Sequence, residues 1–425
     1  MYWFERANFY QFYPLAYAHG HYSLSELEMW SDHLKSLKIN AVYLSPLFQS
    51  ISHGYDTTDY FMVDERLGDN NTLTNLVDNY HRKGIKVVLD CVFNHVGRDF
   101  FAFKDLQEKR ENSDYINWFK QVDFTKNNKF NDGFCYDGWE GVDSLVILNH
   151  ECEDVVEYLL SAIRFWKKEF HIDGLRFDVA YSLPISFIKK INKTCKEGSP
   201  EFFILGEVIH GDYSKFVGEG LFDSVTDYEL HQALYNSHKT ANYFELAHTI
   251  KRQFEESVGS KLYNFVDNHD VDRLASKIGN KENLFLAYAI LYTLPGIAAL
   301  YNGDEWGEEG KKTGSDDSQL RPYFYINDLH LKNEELLSMV KNLAAAREKF
   351  QDILFDGTIK TVTLENTYME YERELKGKKI RVYLNQGEES HNINGDFKRM
   401  IEGRNYKFSK THNYLLPHGF LIVEV

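Results

Sequence analysis

The chain has 425 residues, a length that favours one large barrel with an appendage, or two to three domains, over a single small unit. Hydrophobic residues make up 43% and aromatic residues 15%, which supports a substantial core. A formal charge of -16, from 48 Lys and Arg against 64 Asp and Glu, opposes attraction to a phosphate backbone and argues against nucleic acid as a partner. Met1-Tyr-Trp-Phe-Glu5 has neither a basic leader nor an apolar signal stretch, and no run approaches a membrane span. Cys91, Cys135, Cys152 and Cys195 are scattered without metal-type pairing, as in a reducing compartment. The cytoplasm is therefore the expected setting, with secretion left to a leader already removed.

In chain order, short apolar segments alternate with helical patterns. Strands are predicted at Phe9–Tyr13, Ala41–Ser45, Lys86–Cys91, Gly174–Phe177, Phe203–Gly206, Ser224–Thr226, Leu262–Val266 and Gly296–Tyr301. Ser23-Leu-Ser-Glu26 reads as a capping box ahead of Leu27, Met29 and Trp30. Gly84 closes a helix containing Leu76, Val77 and Tyr80, and Leu159, Leu160, Ile163 and Trp166 recur at helical spacing. Eight strand-helix units predict an α/β fold, a (β/α)₈ TIM barrel over residues 1–96 and 150–350. The rhythm breaks between 97 and 149, a stretch too long for an ordinary βα loop, which predicts a rim insertion after the third strand. From 351 to 425, the segments Thr361–Leu364, Thr367–Glu372, Lys379–Asn385, Tyr406–Ser409 and Phe420–Val425 predict a C-terminal antiparallel, sandwich-like β-domain.

Polar residues cluster where these strands end. Asp90, Asn94 and His95 follow the third strand, Arg176 and Asp178 end the fourth, Glu207 follows the fifth, and His269 and Asp270 follow the seventh. The C-terminal mouth of a barrel collects such side chains from separate strands, so these residues predict a reaction centre. Arg176 and Asp178, two apart, leave the strand on one side, and the guanidinium is expected to keep Asp178 ionised, as a nucleophile requires. Glu207, in a dry site among other anions, is the candidate to begin protonated. A carboxyl separation of roughly 5–5.5 Å predicts retention of configuration, and roughly 6.5–9.5 Å predicts inversion. Asp270 would grip the ring as it flattens, with His95 and His269 as further hydrogen-bonding groups.

These segments resemble the four signatures of glycoside hydrolase family 13, the alpha-amylase family, and the resemblance runs across essentially the whole chain. Asp90-Cys-Val-Phe-Asn-His95, Gly174-Leu-Arg-Phe-Asp178, Gly206-Glu207 and Phe265-Val-Asp-Asn-His-Asp270 carry it. The resemblance implies that Asp178 is the nucleophile, Glu207 the acid/base and Asp270 the transition-state stabiliser. It assigns sugar binding to Asp90, His95, Arg176 and His269. In His53-Gly-Tyr-Asp-Thr-Thr-Asp-Tyr60 it implies a Tyr55 that stacks on the glucose at the nonreducing side of the scissile bond. Asn94 matches a calcium ligand of the family, which makes a structural calcium ion an expectation, while the chemistry itself requires no cofactor. Gly138-Trp-Glu-Gly-Val-Asp-Ser-Leu145 resembles the loop before the fourth strand in neopullulanases, cyclomaltodextrinases and maltogenic amylases. Tyr181 and Ser182 depart from the family pattern after the nucleophile, so the reducing-side contacts are expected to differ.

The expected activity is retaining hydrolysis of alpha-1,4-glucosidic bonds in maltodextrins or starch-derived oligosaccharides, through a covalent glucosyl-enzyme. The alternatives are an alpha-glucosidase or 4-alpha-glucanotransferase on the same scaffold, and a non-catalytic glycan-binding barrel. A nicotinamide enzyme is disfavoured, because no Gly-x-Gly-x-x-Gly turn follows an early strand. The expected partner is an alpha-glucan, with no membrane or nucleic acid, and the oligomeric state is left open.

Overall fold

The computed structural model describes residues 2–18, 23–256, 262–314, 316–393, 397–409 and 412–425, without the side chains of 255, 256 and 329–331. Eight strands close into a parallel barrel: β1 (Asn8–Phe12), β2 (Ala41–Leu44), β3 (Lys86–Cys91), β4 (Gly174–Phe177), β5 (Phe203–Gly206), β6 (Ser224–Thr226), β7 (Leu262–Phe265) and β8 (Ile297–Tyr301). Each strand pairs with its neighbours in the sequence, and β8 returns to β1. Every boundary lies within one residue of the expectation, because strands buried on both faces read as short apolar runs.

Alternation along these strands makes two cores. Phe9, Tyr43, Val88, Phe203, Tyr263 and Phe265 point inward and fill the barrel. Tyr10, Phe12, Leu89, Leu175, Phe177 and Ile204 point outward into the layer shared with the helices. There Trp166, on the helix Glu153–Glu169, stacks on Phe48 at 4.5 Å with an interplanar angle of 8°. Full burial of one such side chain contributes about 1.5–3 kcal/mol. One expected cap is corrected: Leu24–Trp30 is a 3₁₀ helix, and the Ser23 hydroxyl meets that of Ser25 at 2.6 Å instead of capping it.

Between β3 and β4 the chain rises above the rim as the helix Phe101–Lys109 and a three-stranded sheet of His95–Gly97, Val142–Ile147 and Gly138–Trp139. The hairpin turns through Glu140 and Gly141, both with positive φ, as the twist of a two-residue turn demands. This sheet ties the insertion to the end of β3 through His95.

The C-terminal segment holds β9 (Thr358–Leu364), β10 (Tyr368–Leu375), β11 (Lys378–Asn385), β12 (His391–Ile393), β13 (Arg399–Phe408) and β14 (Asn413–Glu424). All six are joined in one antiparallel sheet, with β14 pairing β11, β12 and β13. One face, including Met369, Tyr371, Val382 and Phe420, joins the main core. The other gathers Tyr368, Tyr383, Leu415 and Leu421 into a small cluster of its own. Among the described residues all four cysteines are free, and no helix is long and apolar enough to cross a membrane.

Candidate active site

The alternation that builds the barrel also builds the site. Val88 and Asp90 of β3 face inward, and the register sets Asp90 beside Arg176 of β4. Asp178 and Glu207 continue the ladder one step past the strands, their backbone N–H groups bonding Cys91 O at 3.0 Å and Phe177 O at 2.9 Å. Gly206 precedes Glu207 because the Phe222 ring would lie 2.6 Å from a Cβ there. Val179, next to Asp178, has φ +47° and ψ +38°, a left-handed conformation that a β-branched residue rarely adopts. That turn aims its N–H at Glu207 Oε2, 2.8 Å away.

Arg176, 3% exposed, holds the acids together. Its Nη1 donates to Asp90 Oδ1 and Oδ2 at 2.8 and 3.0 Å and to Asp178 Oδ1 at 2.9 Å, and its Nη2 lies 2.8 Å from Glu207 Oε1. Asp90 also accepts from the hydroxyls of Tyr43 and Tyr55, the latter at 3.2 Å. Across the mouth, Asp270 meets His269 Nε2 at 2.9 Å and Arg321 Nη2 at 3.0 Å. His269 is fixed by Gln11 Nε2 on its Nδ1 at 2.7 Å and by the Tyr55 hydroxyl on Nε2, and the Tyr55 ring lies parallel to it at 5.6 Å.

A cavity of about 520 Å³ opens above this cluster, lined among others by Tyr55, His95, Asp178, Glu207, Tyr228 and Asp270. Trp139 and Tyr181 form one wall, and the Trp139 ring stacks on His95 at 6.1 Å. His95 Nε2 is buried and has no hydrogen-bond partner among the described residues. Burial pushes the His95 imidazole down to about 4, so its ring is neutral at pH 7. Asp90, Arg176 and His269 lie beneath the lining groups, with their polar atoms already engaged.

The charges depart from the sequence expectation at Asp178. Burial raises its carboxyl well above the usual carboxylate range; Arg176 opposes this, and the nearby Glu207, Asp90 and Asp270 add to it. The pull of the guanidinium on Asp178 is thus opposed, because it is shared among three carboxylates inside a dry pocket. Asp270 goes the other way: burial opposes its charge, but His269, Arg321 and Arg176 outweigh burial and hold it well below the usual range.

Asn94 is buried, and its Nδ2 lies 3.2 Å from His95 Nδ1. No group of three or more His, Cys, Asp or Glu side chains that would hold a metal ion occurs among the described residues. A calcium ion takes about 6–8 oxygens, including backbone carbonyls, and Asn94 offers one side-chain oxygen toward them.

Several site residues lie outside the sequence reading. Gln11 and Tyr43 carried a faint signal, being polar atoms on otherwise apolar strands, and Asn268 stood inside the fourth signature without an assigned role, whereas Tyr228 and Arg321 carried none. Arg321 arrives from a polar loop 20 residues after β8, where it also stacks over the Tyr13 ring at 4.8 Å.

A closed parallel barrel with a guanidinium-bridged cluster of acids at its C-terminal mouth is the framework of a carbohydrate-cleaving enzyme. The alpha-amylase catalytic domain family matches residues 30–354. A cyclomaltodextrinase of Thermoanaerobacter pseudethanolicus is 33% identical over 410 residues, 92% of this chain and 69% of that one. An intracellular maltogenic amylase of Bacillus subtilis is 28% identical over 365 residues, 84% of this chain and 60% of that one. This chain thus spans 69% and 60% of the lengths of these two relatives. Among solved structures, a debranching enzyme from Nostoc punctiforme superposes with a TM-score of 0.87 at 26% identity, covering 100% of this chain and 99% of that one. The chain belongs to the alpha-amylase family of glycoside hydrolases, family 13.

Proposed function

We propose that the protein hydrolyses alpha-1,4-glucosidic bonds of maltodextrins with retention of anomeric configuration. The observation that carries this reading is the Arg176 bridge, which binds Asp178 and Glu207 to one guanidinium beneath one cavity. A retaining pair needs its carboxyls only roughly 5–5.5 Å apart, and a shared guanidinium favours that closeness over the wider gap that accommodates an inverting water.

The first step of this mechanism needs one proton between the two acids. With that proton on Glu207, Asp178 is the anion, and both requirements of the first step are met by one shared charge. Asp178 then attacks the anomeric carbon while Glu207 protonates the departing oxygen, leaving a glucosyl ester on Asp178 and a carboxylate on Glu207. That carboxylate takes a proton from water, whose oxygen attacks the same carbon and frees Asp178. Asp270, ionised throughout, and His95, with its free Nε2, bind sugar hydroxyls, and Tyr55 offers its ring to the sugar face. Asp90, Arg176 and His269 hold those groups in place.

The names of the relatives support maltodextrins as substrates, and that of the Bacillus subtilis protein supports a cytoplasmic setting. The test is a time course of products from linear, cyclic and branched alpha-glucans with the anomer recorded by NMR. First-formed alpha products are expected, and beta products would reject the mechanism. D178A and E207Q are each expected to lower turnover at least about 100-fold. Abundant products longer than the substrate would move the assignment to a glucanotransferase.

A further inference from the structure

Glu207 is gripped at both oxygens. Oε2 takes the Val179 N–H, while Oε1 takes Arg176 Nη2 at 2.8 Å and the hydroxyl of Tyr228 at 3.2 Å. Arg176 is divided among three carboxylates, so Tyr228 is the side chain that donates to Glu207 alone among the described residues.

The direction of that last bond is fixed by what stands behind it. Asn268 Nδ2 donates to the Tyr228 oxygen at 3.0 Å, and Asn268 Oδ1 accepts the Asp270 N–H at 2.9 Å. A tyrosine hydroxyl has one proton, and with Asn268 acting as donor that proton is left for Glu207. Burial, then the charges of Glu207 and Asp270, keep the Tyr228 hydroxyl protonated far above its ordinary range. Its ring is seated edge-on against Phe265 at 5.0 Å, independently of the hydroxyl.

We infer that Tyr228, oriented by Asn268, is a positioning residue that steadies the Glu207 carboxylate in the orientation in which it gives and takes its proton. This rests on the assignment of Glu207 as acid and base. A donor to a carboxylate favours its charged form. Tyr228 thus steadies the carboxylate that remains once the Glu207 proton has passed to the sugar oxygen, and holds its Oε1 in place for the water step. The other charged or titratable groups around Glu207 are Arg176 and Asp178 from β4, Asp90 from β3 behind Arg176, Tyr181 after β4 and Asp270 after β7. None of them changes in a Tyr228→Phe variant, which removes one oxygen and leaves the ring.

The experiment measures kcat and KM for maltoheptaose between pH 4 and 9 in the parent, Y228F, N268A and E207Q enzymes. With the donor gone, the charged carboxylate loses one stabilising hydrogen bond. The alkaline limb of kcat/KM is expected to rise by about 0.5–1 pH unit in Y228F, with kcat at the optimum falling roughly 3- to 10-fold and KM little changed. N268A, which frees the hydroxyl to rotate, is expected to move the limb the same way by less. A Y228F limb that stays in place, or a loss confined to KM, overturns the inference and makes Tyr228 a packing or sugar-contact residue. E207Q separates the two levels. Turnover retained within tenfold removes the assignment of Glu207 itself, whereas a dead E207Q with an unmoved Y228F limb removes only the role of Tyr228.

Discussion

Arg176 is the residue on which the acids depend, and its contribution is measurable apart from catalysis. Removing one member of a buried ion pair costs about 3–5 kcal/mol, because the partner charges stay behind without compensation. Arg176→Met strands three carboxylates, so a destabilisation of that size is expected in urea unfolding. The sign with pH follows from Asp178. A carboxyl whose folded value lies above its unfolded value of roughly 3.9 contributes stability below that value and loses it as pH rises through the folded value. Loss of the guanidinium raises the folded value further, so the gap between R176M and the parent is expected to be wider at pH 8 than at pH 5. Equal gaps at the two pH values would contradict the shared-charge picture. Asp90, Arg176, Asp178, Glu207 and Asp270 were legible in the sequence because strand ends carry side chains to one mouth. The upward push on the Asp178 carboxyl was not, since spacing shows that Arg176 is near but not how many other carboxylates share it. Tyr228 and Arg321 meet the acids only through barrel closure, which leaves no local pattern to read.

Among the elements, the helix Tyr228–Lys239 begins on an unusual cap. Asp227 is fully buried; its Oδ1 accepts from the Leu230 N–H at 2.9 Å and from Gln253 Nε2 at 2.7 Å, while Oδ2 has no partner among the described residues. Burial pushes this carboxyl up to about 7, against the opposing bonds from Leu230 and Gln253. Its folded value exceeds the unfolded one, so the stability it contributes is complete near pH 4 and is lost as pH rises through about 7. The full loss amounts to about 4 kcal/mol. Asn is as good an N-cap as Asp and carries no charge to bury. Asp227→Asn is therefore expected to flatten the decline in stability between pH 4 and 8 and to exceed the parent at pH 8. A D227N curve parallel to the parent's would show that Asp227 is not the titrating group. The barrel strands were legible because burial on both faces leaves an unbroken apolar run, as in Phe203-Ile-Leu-Gly206. In the C-terminal sheet β12 and the first halves of β13 and β14 were missed, since stretches such as Arg399-Met-Ile-Glu-Gly-Arg404 are half-exposed and alternate too little to show a period of two.

For the whole molecule, the question is what binds the C-terminal sheet to the barrel. The helix Asn283–Thr293 is buried at every residue, and its last carbonyls face the sheet away from water. Two buried arginines satisfy them. Arg347 donates to Tyr292 O and Leu294 O, both at 2.9 Å, and to Gly296 O. Arg373, on β10, donates to Thr293 O at 2.7 Å, Gly357 O at 2.9 Å and Thr358 O at 3.2 Å. Neither pairs with a carboxylate among the described residues. Burial accordingly pushes Arg347 down to about 10 and Arg373 down to about 9, the latter with help from Arg347. Both cations nonetheless sit at the negative end of a helix, where their charge is favoured. Arg373→Met keeps most of the apolar stem but leaves three carbonyls without a donor, at about 1–3 kcal/mol each, so a destabilisation of at least about 3 kcal/mol is expected. Lys cannot restore it, since one ammonium lacks the planar fork that reaches three oxygens in different directions. If the sheet and barrel fold as one body, R373M lowers the temperature of a single calorimetric transition. A new low-temperature transition in R373M, with the main one unmoved, would instead show that the sheet comes away while the barrel persists, and an unchanged trace would remove Arg373 from the joint altogether.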